Sequence, residues 1–435
     1  MKWFVGAALL LAAALLLESG LLAYAMYVLL ALLVVSRLLA LSWIGSLVAT
    51  RKCSDDEVEV GETITVNLTV ENKSKLPVPW ILLEDLIPAK MTIAEGKKLL
   101  VKKRRLKIAS IAPGGKLKLD YKIQFRSRGY YQIGPLVLET GDFFGLHRRY
   151  HVGAEPSYVL VYPELVPLEG YELASRRPIG EIRMAHRLYE DPTRIAGVRQ
   201  YEAGDPLSRV HWRATARTGE LHCKIYEPST IAGATIVIDL FEGGYPSRLE
   251  PERSELAVSA AASFAYAVYQ MGQQIGLLAN GRDAIDRIRQ EGYEGDYRTR
   301  KAAMQGVEPV PEEERRRPIK IRTDRGVEQF ERIWATLART EMNDGLTFAE
   351  LLMETSGDMP RDATVIVILP RVTAEDALVL GDLRRRGYAV TAVLVMFEDG
   401  EERIAHGKLL AEGVEVRHIK DRETLTTACQ RQVFR

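Results

Sequence analysis

Arg209, Arg213 and Arg217 recur at intervals of four within Val198-Arg199-Gln200-Tyr201-Glu202-Ala203-Gly204-Asp205-Pro206-Leu207-Ser208-Arg209-Val210-His211-Trp212-Arg213-Ala214-Thr215-Ala216-Arg217. On a helix this spacing lines three guanidinium groups along one face, and each planar fork can hold a carboxylate or a phosphate through paired hydrogen bonds. The local grammar predicts such a helix: Asp205 suits an N-cap, Pro206 the first helical position, and Gly219 the stop. With Tyr201, Gly204, His211 and Trp212 nearby, the ridge is a candidate binding site for an acidic partner segment or a phosphate-bearing ligand. A competing reading is intramolecular, with the arginines clamping a connecting segment to the next domain through carboxylates such as Glu202 or Glu227.

Catalytic arrangements are weaker. Cys223 and His222 are strand neighbours and face opposite ways, so they do not make a nucleophile and its base. His211 and Asp205 are six residues apart, a poor spacing for an acid-base pair on one helical face. No glycine-rich loop of the Walker type is present, so nucleotide chemistry would belong to a partner. Cys53, Cys223 and Cys429 are far apart and lack CxxC or Cys/His spacing, which argues for free thiols in a reducing compartment and against zinc or a disulfide framework. Fifty-nine basic residues nearly cancel 58 acidic ones, so no overall field draws the chain to nucleic acid.

The elements that position these residues start with an anchor. Trp3 to Leu17 carries no charge, and a second apolar run follows Glu18-Ser19-Gly20 and continues to Val35. Two short membrane helices in a hairpin fit this pattern. Lys2 precedes the pair and Arg37, Arg51 and Lys52 follow it, which predicts both ends on the inner side and a cytoplasmic body. A cleaved signal peptide ending near Ala23-Tyr24-Ala25 is the alternative, and the run from Met26 would then stop transfer and leave the body on the same side. After the anchor, Ile64, Val66, Leu68 and Val70 alternate with polar residues, as do Leu117, Leu119, Tyr121, Ile123 and Phe125. Further strands are expected at Leu99 to Ile108, Tyr130 to Ile133 and Leu136 to Thr140, giving a small antiparallel, immunoglobulin-like sandwich. Lys102-Lys103-Arg104-Arg105 reads either as a contact for anionic headgroups or as a charged edge strand.

The C-terminal part alternates strand and helix. Strands are expected at Ala234 to Leu240, Gln274 to Ala279, Thr364 to Leu369, Ala389 to Met396 and Val414 to His418. Helices are expected at Arg253 to Met271, Gly326 to Arg339, Leu346 to Thr355 and Ala374 to Arg386. That order predicts a parallel sheet covered by helices. The layout is a transmembrane helical hairpin over residues 1–50, a β-sandwich over 55–160, a connecting segment with the arginine motif over 161–230 and an α/β domain over 231–435.

Arg199 to Arg217 resembles the signature of the domain of unknown function 58 family: tyrosine, glycine-aspartate, arginine, tryptophan-arginine, alanine-arginine. Gly129-Tyr130-Tyr131-Gln132-Ile133-Gly134-Pro135-Leu136 and Gly141-Asp142-Phe143-Phe144-Gly145-Leu146 resemble its upstream motifs, with Phe143 where proline is usual. The resemblance implies a bacterial or archaeal membrane protein with a von Willebrand factor A-like, Rossmann-type domain. It also implies an encoded neighbour of the MoxR-type AAA+ ATPase class and sometimes a transglutaminase-like membrane protein. Metal-binding members of the von Willebrand fold carry aspartate, serine and serine at alternate loop positions as oxygen ligands. Here Asp239 is followed by Phe241 and Gly243, a later threonine corresponds to Thr347, and Leu369-Pro370 replaces a further aspartate, so neither metal nor other cofactor is expected. The expected function is a non-enzymatic, membrane-tethered adaptor; its rival is an enzyme holding an anionic substrate on Arg209, Arg213 and Arg217.

Overall fold

The computed structural model describes residues 2–17, 19–87, 98–142, 147–168, 190–201, 210–228, 233–290, 316–360 and 363–428. Two apolar helices, α1 (Lys2–Leu16) and α2 (Gly20–Gly45), lie side by side. Ala7, Ala14 and Ala23 are buried, and small residues of this kind let helix backbones approach closely. Helix α2 is long and apolar enough to cross a bilayer. It runs ten residues beyond the apolar run read from the sequence, because Ser36 and Arg37 do not break a helix and Leu39, Trp43 and Ile44 join the core of the next body. Leu33, Ser36, Ala40 and Trp43 form its buried face at helical spacing.

The next body is built from β1 (Leu47–Cys53), β2 (Glu57–Glu59), β3 (Thr63–Asn72), β4 (Val78–Asp85), β5 (Leu99–Lys102), β6 (Leu106–Ile111), β7 (Lys116–Phe125), β8 (Gly129–Ile133), β9 (Leu136–Gly141), β10 (Arg148–Ala154) and β11 (Ser157–Tyr162). Sheets of order β1-β3-β7-β5 and β10-β9-β4-β6 are joined by a smaller one, β2-β11-β8. Ile64, Val66, Leu68 and Val70 on β3 and Tyr121, Ile123 and Phe125 on β7 form the inner face, as their alternation requires. The single strand expected over Leu99 to Ile108 is two. Lys103 adopts a left-handed φ of 75°, and the chain passes from β5, paired with β7, to β6, paired with β4 in the other sheet. Lys102, Lys103 and Arg104 stay in water at that corner, which alternation alone does not register.

A hairpin of β12 (Glu190–Gln200) and β13 (His222–Pro228) encloses a short helix, α3 (Trp212–Thr218), and among the described residues these three elements pack chiefly on one another. The C-terminal body then adds β14 (Gly233–Ile238), α4 (Glu252–Gln270), β15 (Gln274–Ala279), β16 (Arg282–Asp283), α5 (Ala284–Gln290), β17 (Ile319–Asp324), α6 (Val327–Arg339), β18 (Thr340–Glu341), α7 (Phe348–Thr355), β19 (Thr364–Leu369), α8 (Ala374–Arg385), β20 (Ala389–Val395), α9 (Asp399–Ala411), β21 (Glu415–Ile419) and α10 (Arg422–Thr426). The six-stranded order is β17-β15-β14-β19-β20-β21, parallel except for β17. One face is covered by α4 and α6 through Phe264, Phe330, Ile333 and Leu337, the other by α7 and α8 through Phe348, Leu352 and Leu380. Strand β17 and helix α9 were not read from the sequence. Strand β17 is half-buried and mostly polar, and the surface pattern of α9 buries only Ala405 and Leu409.

The two large bodies are directly joined. Arg128 is buried, donates from Nη1 to the Thr340 carbonyl at 2.8 Å and lies 3.8 Å from Glu255. Trp334 Nε1 donates to the Pro163 carbonyl at 3.1 Å, and its ring lies 4.2 Å from that of Tyr162. Val166 enters the α/β core and its N–H donates to Ser263 Oγ.

Candidate functional site

The arginine segment folds differently from its sequence grammar. Val210 is buried and bridges Cys223, so the chain is still extended there, and His211 caps α3 by accepting the Ala214 N–H on Nδ1 at 3.0 Å. The helix therefore begins at Trp212, several residues later than Asp205-Pro206 would place it. A β-branched apolar residue that can complete a strand bridge wins over a local cap signal. Gly219 ends the helix in the left-handed conformation, where glycine has no Cβ penalty. The backbone N–H of Tyr201 donates to the Leu221 carbonyl at 2.8 Å and so belongs to the hairpin.

Gly204, Asp205 and Arg209, with Glu202, lie outside the described residues. Arg213 and Arg217 stand four apart on α3 and are exposed, and among the described residues neither donates a hydrogen bond nor forms an ion pair. Trp212 is 68% exposed, and Val198 and Leu221 on the hairpin are also exposed. An indole left in water beside two guanidinium groups is a poor use of α3 for intramolecular clamping. Such residue types are those that anchor protein interfaces. His211 spends one ring nitrogen on the cap, and the adjacent His222 contacts Thr218 Oγ1 and the Glu220 carbonyl.

The second candidate lies where the strand order reverses, outside the carboxyl ends of β14 and β19, the place at which open α/β sheets bind ligands. Asp239 follows β14 and is fully buried. Its Oδ1 accepts Asn280 Nδ2 at 2.7 Å and the Phe241 N–H at 3.1 Å. Burial pushes its carboxyl up to about 6, against the lowering effect of those two donors. Asn280 also accepts the Leu240 N–H and donates to the Leu346 carbonyl, while Tyr245 donates to the Asp239 carbonyl at 2.6 Å.

The loop after Asp239 does not fit a divalent cation. Phe241 offers a ring, and a Cβ at Gly243 would come within 2.6 Å of that ring, so phenylalanine and glycine are a matched pair. Arg371, from the loop after β19, lies over the Phe241 ring with its Cζ 5.5 Å from the centroid and donates to the Gly243 carbonyl at 3.1 Å. Thr347 is spent on a capping box for α7, accepting the Glu350 N–H while Glu350 accepts the Thr347 N–H. Asp376 caps α8 in the same way with Thr373. Asn280, Tyr245 and Arg371 were not singled out in the sequence. The only signal for Arg371 was its place two residues past the apolar run Thr364 to Leu369.

Comparison with known proteins places the signature segment. Residues 197–314 match the family described as "Protein of unknown function DUF58". The chain is 23% identical over 248 residues to the uncharacterized protein YeaD of Bacillus subtilis (strain 168), covering 56% of this chain. It spans 58% of that relative's length. Among solved structures, a CARDB domain from Pyrococcus furiosus, crystallised in complex with di-metal ions, is similar over 26% of this chain and 91% of its own, at 14% identity and a TM-score of 0.19. Proximal thread matrix protein 1 from the mussel byssus is similar over 46% of each chain, at 10% identity and a TM-score of 0.30.

Proposed function

From the match of residues 197–314 to the DUF58 family, we propose that the chain is a membrane-tethered, non-enzymatic adaptor whose signature hairpin and von Willebrand factor A-like α/β body receive a cytoplasmic protein partner. The observation that carries this reading is α3, which keeps Trp212, Arg213 and Arg217 in water on a hairpin that, among the described residues, packs chiefly on itself. An aromatic anchor beside paired guanidinium groups suits a partner surface with carboxylates around an apolar centre. The family resemblance supplies the class of partner, a MoxR-type AAA+ ATPase, with a transglutaminase-like membrane protein as a further candidate.

In this reading α1 and α2 form a two-pass anchor with both ends in the cytoplasm. Lys2, Arg37 and Lys52 carry the inward charge bias, because Arg51 is buried with Asp85 inside the sandwich and does not face lipid. The sandwich holds the α/β body at a fixed distance from the bilayer through Arg128 and Trp334. The enzyme reading has less support. His211 uses its Nδ1 lone pair as a helix cap, which leaves a base no free acceptor on that nitrogen.

Solubilising the full chain in mild detergent and identifying what is recovered with it tests the proposal. The ATPase should accompany the parent protein and be lost from Trp212→Ala and from Arg213→Ala/Arg217→Ala, with the melting temperature nearly unchanged, since exposed substitutions typically cost under about 0.5 kcal/mol. Recovery without the ATPase would sink the adaptor.

A further inference from the structure

Helix α2 leaves the apolar zone alongside one hairpin of the sandwich. Strands β9 and β10 flank it, and Ser36 Oγ donates to Asp142 Oδ2 at 2.5 Å in a buried pair. Asp142 directly follows β9 and is held on all sides: its Oδ1 accepts the His147 N–H, its N–H donates to the His147 carbonyl and its carbonyl accepts Trp80 Nε1. Only glycine fits at 141, where a Cβ would meet the His147 carbonyl at 2.7 Å and the Trp80 ring at 2.9 Å. Gly141 pairs with Arg148, so Arg148 opens the edge strand β10 at the level of Ser36 and Arg37.

In the anchor reading, that level is the edge of the bilayer. Sixteen residues of α2 precede Ser36, about 24 Å of helix, close to the roughly 30 Å of a hydrocarbon core. Leu21, Tyr24, Val28, Leu32 and Val35 are exposed and apolar along that length, and Leu38 and Leu41 extend the apolar side about a turn or two further into the headgroup zone. The Arg148 side chain is 62% exposed, with Glu139 at 3.5 Å its ion-pair partner. Tyr150 shares the Arg148 face of the strand by alternation, the residue type found at membrane interfaces.

We propose that β10 is a headgroup-binding edge, at which Arg148, together with Arg37, takes the phosphates of acidic phospholipids where α2 leaves the bilayer. The proposal rests on the anchor reading given above and adds a lipid class and a site to it. The other basic cluster, Lys102 to Arg105, does not share this place. It precedes Leu106, which pairs with Glu84, and Glu84 pairs with Val137, four residues along β9 from Gly141. This is about 14 Å away along the strand and on the opposite edge of the sheet. Lys103 there is ion-paired with Asp120.

The test uses the full chain in nanodiscs of phosphatidylcholine with increasing fractions of phosphatidylglycerol, following hydrogen exchange of the β9 and β10 amides. Protection should grow with the anionic lipid. The fraction needed for half the effect should rise about fivefold in Arg148→Ala, recover in Arg148→Lys and stay unchanged in Arg104→Ala/Arg105→Ala. Inorganic phosphate added to phosphatidylcholine discs should change nothing, and protection by phosphate alone would replace a lipid site by a free-anion site. Equal exchange in both lipids, with the chain inserted, overturns this inference and leaves the anchor intact. Failure to insert into either disc overturns the anchor reading itself.

Discussion

Replacing Asp239 by asparagine should stabilise the protein progressively, relative to the parent, as pH rises from about 4 to 8. Burial is the dominant influence on this carboxyl and lifts it to about 6 from an ordinary value of 3.8; Asp376 adds to the rise, and Asn280, the Phe241 N–H and Arg371 oppose it. Between those two values the folded chain still holds the proton that the unfolded chain has released. The folded state then binds more protons than the unfolded one, so stability falls as pH rises through this window and stays lower above it. The gap corresponds to roughly 3 kcal/mol. Asparagine keeps the oxygen that accepts from Asn280 and Phe241, and removes the titration. Its added amide protons contribute an offset that does not vary with pH, so the change in the difference between variant and parent isolates the charge. For a body of this size, 3 kcal/mol is roughly 6–12 °C in melting temperature. Melting of both proteins in the same detergent at acid and alkaline pH measures it. A difference that is constant across pH, or that moves against the variant at high pH, would show that the Asp239 carboxylate is satisfied when charged and refute the reasoning.

Three other outcomes follow from the same contacts. Gly243→Ser should cost about 1–3 kcal/mol because its Cβ meets the Phe241 ring, and Phe241→Ser in the same chain should relieve most of that; thermal melting of the single and double variants decides, and equal costs would show that the two positions are independent. Calorimetry with magnesium or manganese should give no micromolar binding to the parent, and binding that Asp239→Ala abolished would overturn the reading of the loop. Arg128→Ala should cost about 1–3 kcal/mol, since it strips the Thr340 carbonyl of a buried donor and leaves Glu255 without its cation. Faster hydrogen exchange at both β8 and β18 is the expected signature, and exchange unchanged at one of them would mean that Arg128 does not couple the two bodies.

The elements most legible in the sequence are those whose burial has a single period. Strand β3 alternates because one face meets the core, β19 is apolar throughout because both faces do, and each stands within two residues of its reading. What stayed hidden depends on contacts between distant segments. The split between β5 and β6 turns on one left-handed lysine, β17 is a polar edge strand, and α2 continues past Val35 because the sandwich supplies a core for Trp43. Asp239 was visible as the polar end of an apolar run. Asn280 and Arg371 were not, since they come from the ends of β15 and β19 and meet Asp239 and Phe241 only through the order of the sheet.

The signature segment shows the same limit more sharply. Its caps and fourfold arginine spacing are local signals, and the pairing of Val210 with Cys223, thirteen residues on, outweighs them and shortens the helix to Trp212–Thr218. The shortening changes what the segment can do. A helix beginning near Pro206 would have carried a three-arginine ridge, whereas α3 carries Arg213 and Arg217 beside an exposed Trp212. On α3 itself, two guanidinium groups and an indole form a smaller and more amphipathic surface than a ridge of three cations. Such a surface discriminates among proteins by shape and apolar contact as well as by charge, which is what an adaptor requires and an anion-binding enzyme does not.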